Sequence, residues 1–254
     1  MNSNHLQNPQ QLLSEIVTSQ AYPLVFATIS GAHLYGFPSP DSDYDLRGVH
    51  LLPIKEIIGL DPAQETIEIS EIESGLQLDL VTHDLKKFII LMLKRNGYVL
   101  EQLYSPLVVQ TSPAHHQLKE IGSNCITRNH YYHYLGFAKN QWKLFNKDTS
   151  PRVKPLLYIY RVLLSGIYLM KTGKIKANLT SLNTEFKLPY IPDLINQKIT
   201  ATEKSILQEV DLEFHTQEYQ RLQTKLEVAY QDSHLPDEPS ARAELNNLLI
   251  ATRN

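Results

Sequence analysis

The densest group of chemically capable side chains in this 254-residue chain is the run Asp41-Ser42-Asp43-Tyr44-Asp45, preceded by a glycine-containing turn and followed by apolar Leu46. In an extended strand residues i and i+2 point to one face, so Asp43 and Asp45 are expected to project side by side. Two carboxylates that close repel each other, and such a pair persists when cations neutralise it. Hard oxygen donors at this spacing suit Mg²⁺ bound together with substrate phosphates. A third acid, Asp79, stands between Leu78 and Leu80, and an acid inside an apolar strand is costly to bury unless paired or metal-bound. Three carboxylates from two strands can hold two cations roughly 3.5 to 4 Å apart, the arrangement that clamps the attacking and leaving oxygens of a phosphoryl transfer. On this reading Asp43 and Asp45 bridge the ions, and Asp79, on the acceptor side, is the general base. Ser30 and Gly31, at a strand-to-turn junction, are the candidates to bring backbone close to phosphates.

The elements that must position these residues follow from the periodicity. A short helix is expected over 9–20 and a strand over Tyr22 to Ile29, then a turn-rich stretch from Ser30 to Asp43. Tyr44 to Leu51, Glu65 to Ile69 and Leu76 to Val81 read as further strands. At Asp84 the period changes to helical, with Asp84 as cap and Asn96-Gly97 as stop, and a shorter helix is expected to follow before Ser105-Pro106. Beyond about 112 the pattern predicts helices only: 130–146, 152–171 ending before Gly173, 201–231 opened by Thr200 and Glu203 in capping-box spacing, and a short one from Ser240. The expectation is an α/β N-terminal half, residues 1–112, that carries the chemistry, and an all-helical half, residues 113–254.

Along the 152–171 helix, Lys154, Tyr158, Arg161 and Ser165 share a face, with Leu156, Ile159, Leu163 and Ile167 opposite. That face is either a solvated stripe or a triphosphate clamp, with Lys154 and Arg161 on the phosphates and Tyr158 stacked on base or sugar. It lies in a basic segment, residues 138–176, with nine Lys or Arg against one acid, in a chain whose net charge is -3. The overall charge therefore gives no signature of nucleic-acid binding, while the segment offers a polyanion surface.

Other readings of the same residues fail on particular positions. A calcium loop starting at Asp41 would need Gly where Leu46 stands and Glu where Leu52 stands; a phosphate-binding loop on Gly31 and Gly36 would need Lys and Ser or Thr where Phe37 and Pro38 stand. Asp41 reads as a turn residue after Pro40, and Arg47 offers Asp45 an alternative, structural ion-pair partner. His33, His50 and His83 are scattered singly and read as core or surface histidines, and His115-His116 as exposed linker. One cysteine, Cys125, excludes a disulfide framework and a Cys-rich zinc site and reads as a buried hydrophobe. No secretory signal or membrane-spanning stretch is read, so a cytoplasmic location with no membrane partner is expected.

The run SGAHLYGFPSPDSDYDLRGV, with LDLVTHDLKKF and RNGYVLEQLYSP after it, resembles the DNA polymerase β-like nucleotidyltransferase superfamily, in its branch linked to RNA repair. The resemblance covers about residues 24–106, and the helical half more loosely through VKPLLYIYRVLLSGIYLMKTG. It implies an α+β fold, a polymerase β-like mixed sheet with flanking helices followed by an all-helical domain. It matches the family's glycine to Gly31, its paired acids to Asp43 and Asp45, and its third acid to Asp79. Ala32 departs, standing where the family usually has Ser or Gly. The implied activity moves a nucleoside monophosphate from an NTP to a hydroxyl acceptor with Mg²⁺ or Mn²⁺, an RNA end being the leading acceptor. The alternatives are a catalytically silent nucleotide-binding module and an enzyme that nucleotidylates a protein or small molecule. The preferred NTP and the oligomeric state do not follow from these residues.

Overall fold

Alternating apolar residues fold the first half of the chain into a mixed sheet with a different helix layer on each face. The computed structural model describes residues 9–61, 63–73, 76–147, 152–200 and 211–254. The five strands are β1 (Leu24–Ile29), β2 (Tyr44–His50), β3 (Thr66–Glu73), β4 (Leu76–Asp84) and β5 (Val108–Gln110), in the order β3-β4-β2-β1-β5. β2 is the middle strand, antiparallel to β1 and parallel to β4. Helix α1 (Pro9–Thr18) lays Leu12, Leu13, Ile16 and Val17 on one face, against Leu46, Leu78 and Leu80. The period of two in β2 and β4 sends Asp45, Arg47 and Asp79 to the other face.

On that face pack α2 (Gly31–Tyr35), α4 (Leu85–Leu93), α5 (Gly97–Leu103) and α6 (Pro113–Gly122), with α3 (Ile54–Ile57) beyond the end of β2. Asp84 caps α4 as expected, accepting from the Lys86 amide at 2.9 Å. Asn96 follows the end of α4 and, its side chain accepting from Tyr98 N, opens the shorter helix expected there, α5. The expected turn after β1 contains α2, a single turn bounded by Gly31 (φ 58°) and Gly36 (φ 88°), both left-handed and open to glycine at little cost. The expected linker at His115 is α6, opened by Ser112 and Pro113. His116 is exposed, but His115 is fully buried, stacked 4.3 Å from Phe26 and bonded to Thr111, with burial lowering its pKa to about 4.

The helical half comprises α7 (Tyr131–Lys147), α8 (Val153–Thr172), α9 (Leu179–Phe186), α10 (Tyr190–Thr200), α11 (Leu212–Gln231) and α12 (Arg242–Arg253), with no strand among the described residues after β5. Thr200 is the last residue of α10, and the start expected for a helix at 201 lies outside the described residues. Its hydroxyl donates back to Asn196 at the end of α10, while Glu203 lies outside the described residues, and Asp211 caps α11. Contrary to expectation, α8 is long and apolar enough to cross a membrane, but 78% of its apolar window is buried within the protein, as befits a core helix. It ends where Gly173 turns left-handed. Position 112 falls in a loop, yet the main apolar core runs across it from Val25 to Leu248. Asn178 donates to the Leu34 carbonyl at 3.2 Å, and Arg253 forks onto Asp84 at 2.7 and 2.8 Å.

Candidate active site

The parallel pairing of β2 and β4 sets Asp45 and Asp79 directly opposite each other in register. Asp43 lies one residue before β2, where the turn from Pro40 runs into the strand. Burial raises the Asp45 pKa above the ordinary carboxylate value, with the charges of Asp43 and Asp79 adding to the rise and those of Arg47 and Lys154 opposing it. The three acids therefore share one electrostatic environment, and Lys154, from the start of α8, reaches into it.

Arg47 is more than a partner for Asp45. One terminal nitrogen donates to Asp45 Oδ1 at 2.7 Å and to Asp79 Oδ2 at 2.9 Å, and the other to the carbonyls of Leu46 and Asp79, both at 2.8 Å. Ser70 Oγ donates to the second Asp79 oxygen at 2.9 Å. The Asp79 side chain is 34% exposed against 20% for Asp45, so Asp79 is the more open of the two. Gly31 packs on the second Asp45 oxygen: a Cβ there would stand 1.8 Å from Oδ2. The Ser30 amide donates to the Asp45 carbonyl at 2.8 Å, and the Ser30 hydroxyl is buried with no hydrogen-bond partner among the described residues.

His33, on α2, stacks on Tyr44 at 4.2 Å, and burial lowers its pKa, opposed by the Ser42 backbone and the charge of Asp43. Both rings border a cavity of about 600 Å³, lined also by Ser39, Asp41, Gln77 and Ile199. Neither this cavity nor one of about 640 Å³ between the end of α8 and α11 is lined by any of the three acids. His50 and His83 are bonded to Thr82 and Thr66, respectively, within the sheet.

The clamp face of α8 is corrected by the structure. Arg161 is 2% exposed; it donates to both Glu101 oxygens at 2.7 and 2.6 Å and lies 4.0 Å over the Tyr35 ring. Its guanidinium ties α8 to Glu101 of α5 and to Tyr35 of α2, away from solvent. Tyr158 is partly buried and packs edge-on against Tyr35 and Phe37, at 5.4 and 5.7 Å. Ser165 is buried and donates to the Lys176 carbonyl. Lys154, on the same face, acts on Asp45 through its charge. Sequence reasoning missed Glu101, although a glutamate inside the apolar run of α5 signals a buried pair. It also missed Lys198, buried on α10, whose ammonium donates to Ser39 in the turn before Asp43.

A family model described as RlaP, the RNA repair pathway DNA polymerase beta family, matches residues 7–251. The chain belongs to this family. Two similar proteins are full-length matches: uncharacterized protein MJ0002 of Methanocaldococcus jannaschii, 32% identical over 87% of this chain and 90% of that protein, and uncharacterized protein YcgL of Bacillus subtilis, 27% identical over 94% and 93%. A nucleotidyltransferase-like protein from Exiguobacterium sibiricum, of solved structure, aligns with 89% of this chain and 74% of its own at a TM-score of 0.33 and 13% identity. This chain of the RNA repair pathway DNA polymerase beta family has, among its described residues, a five-stranded mixed sheet, flanking helices and a helical C-terminal region. Ala32, at the position that departs from the superfamily pattern, is 2% exposed.

Proposed function

We propose that this protein transfers a nucleoside monophosphate from an NTP to a hydroxyl acceptor, with an RNA end as the leading acceptor class. The observation that supports it best is the in-register placement of Asp45 beside Asp79, with Asp43 adding to the field that raises the Asp45 pKa. Carboxylates held together at such a cost are matched by a cation.

The donor chemistry fits a hard divalent ion, Mg²⁺ or Mn²⁺, which Asp43, Asp45 and Asp79 would hold. Such an ion supplies Lewis-acid polarisation and charge neutralisation at the phosphates. The chain's own residues do the rest. Gly31, lacking a Cβ, leaves the space that the Asp45 carboxylate occupies, and the unpartnered Ser30 hydroxyl beside it is a donor or acceptor in reserve. Lys154 contributes positive charge on the Asp45 side. Asp79, bonded by Arg47 and Ser70 and the more exposed of the pair, takes the acceptor's proton.

Incubating the protein with each α-labelled NTP, Mg²⁺ or Mn²⁺, and a panel of RNA, tRNA, protein and small-molecule acceptors tests this reading. Label on an RNA end is the expected result. Label only on protein or on a small molecule overturns the acceptor, and NTP binding with no transfer to anything overturns the activity in favour of a silent nucleotide-binding module.

A further inference from the structure

Part of the basic segment read from the sequence lies on the outer face of α7. That helix buries Tyr131, Tyr134, Ala138 and Phe145 against the core. Lys139, Lys143 and Lys147 are exposed and recur every four residues, so they form a row on the opposite side, about 6 Å apart along the axis. The helix contains no Asp or Glu, and none of the three lysines forms a salt bridge with a described residue. A row of cations left without counter-charges by its own protein is matched by a polyanion, whose binding releases counterions.

Two features give the row a direction. Lys147 ends α7, and Lys154, in the first turn of α8, brings its positive charge to bear on Asp45. At the other end, on the same side as the lysines, stands Tyr132, 60% exposed and braced against the Tyr230 ring at 5.8 Å. Tyr131 stacks on Tyr230 at 4.5 Å, and the Arg128 guanidinium lies 4.5 Å over that ring. Gly136, between Tyr132 and Lys139, leaves the helix surface open, since a Cβ there would meet nothing within 4 Å. Beyond Tyr132 the cationic character ends: the charge of Glu227 acts on Tyr131, and Arg128 faces Asp237 at 3.6 Å. The face from Tyr132 to Lys147 is ~22 Å long. We propose that it holds an unpaired stretch of the acceptor RNA, with phosphates on Lys139, Lys143 and Lys147 and a base on Tyr132, and leads the RNA end by way of Lys154 to the acids. A single strand suits this face and a duplex does not. The row is one helix wide, and a side-chain ring stacks on a base only when that base is free of its own stack. The proposal rests on the reading of an RNA end as the acceptor.

The test is a fluorescence-anisotropy titration of the full chain with a fluorescein-labelled single-stranded RNA, and with the same RNA annealed into a duplex, at several salt concentrations. Four proteins are compared: the wild type, Tyr132→Ala, the triple variant Lys139→Gln, Lys143→Gln, Lys147→Gln, and a control triple variant Lys171→Gln, Lys174→Gln, Lys225→Gln. Every one of these side chains is exposed, and thermal melting checks each fold. The wild type is expected to bind the single strand more tightly than the duplex. The α7 triple variant is expected to bind it roughly tenfold or more weakly, with the slope of log affinity against log salt shallower by about 2 for three lost phosphate contacts. Tyr132→Ala is expected to lose about fivefold or more, the effect of one base stack, and the control triple variant to stay close to the wild type. In the transfer assay the α7 triple variant should raise the KM for RNA and not the KM for NTP. No RNA bound by the wild type, equal affinity in the wild type and the α7 triple variant, equal losses in the two triple variants, or a duplex bound as tightly as the single strand each overturn the proposal. Binding lost in the α7 triple variant alone, together with no label passed to RNA by the wild type, supports the strand-binding face and overturns the acceptor reading instead.

Discussion

Asp45 Oδ2 occupies the space where a side chain on residue 31 would begin, 1.8 Å from the position of a Cβ on Gly31. The left-handed φ of 58° at Gly31 makes the same residue a requirement of the backbone. Gly31→Ala therefore carries two penalties, conformational strain of about 1 to 2 kcal/mol and displacement of the Asp45 carboxylate. The expected outcome is a folded protein with a lowered Tm and transfer reduced at least as severely as in Asp45→Asn. Near-normal transfer would separate Gly31 from the chemistry.

Asp43→Asn and Asp45→Asn are expected to abolish transfer with the fold retained, since each removes a carboxylate charge from the site. Wild-type turnover in either variant counts against the site.

The raised pKa of Asp45 has a definite sign in the pH dependence of stability. The folded protein holds this proton in a window above the ordinary value of 3.8, where the unfolded chain has already released it. Across that window stability falls as pH rises, because the folded state binds more protons than the unfolded one. Asp45→Asn should remove this contribution. Chemical denaturation of both proteins from acid to neutral pH measures it, and parallel curves would contradict the assignment.

Arg161→Met should be far more costly to the fold than any phosphate-binding residue would be. It strands the Glu101 carboxylate, 3% exposed, for a loss of about 3 to 5 kcal/mol. Glu101→Gln combined with Arg161→Met should recover part of that loss. An Arg161 variant of normal Tm with a raised KM for NTP would restore the clamp.

Lys198→Met keeps the volume of the chain but releases Ser39. Hydrogen exchange in the segment from Ser39 to Asp43 is expected to accelerate and transfer to fall, with little change in Tm. Unchanged exchange would show that the turn holds itself through Ser42, which also bonds Ser39.

Four of the five strands, the positions of Asp45 and Asp79 in them, and α8 were legible because each is a local pattern, alternation around Leu46 and around Leu78 and Leu80 and an apolar helical period; β5, three residues long, is too short to show one. What was not legible depends on partners distant in sequence. The spacing of Lys154, Tyr158 and Arg161 defines a helix face but not what covers it, and the Glu101 that claims Arg161 is 60 residues away. His115-His116 looked polar, although Ser112 and Pro113 before it carried the signal of a helix start. Helix α2 is five residues long between two glycines, too short to show a period. Arg47 was read as a partner for Asp45 alone, because its second carboxylate becomes a neighbour only through the parallel pairing of β2 with β4.

The fork of Arg253 on Asp84 spans 169 residues, and the same guanidinium donates to the Leu52 carbonyl at 2.8 Å. During synthesis, the strand that carries Asp79 and the helix that Asp84 caps emerge long before their clasp exists. Asp84, 2% exposed in the finished fold, must stay hydrated or wait for a temporary partner until residue 253 has left the ribosome. The sheet that bears the acids is made early and sealed late. Its maturation is therefore governed by a distant closure, of the kind that slows folding, and a nascent chain stalled short of α12 would carry the whole acid constellation without the last fastening of its floor.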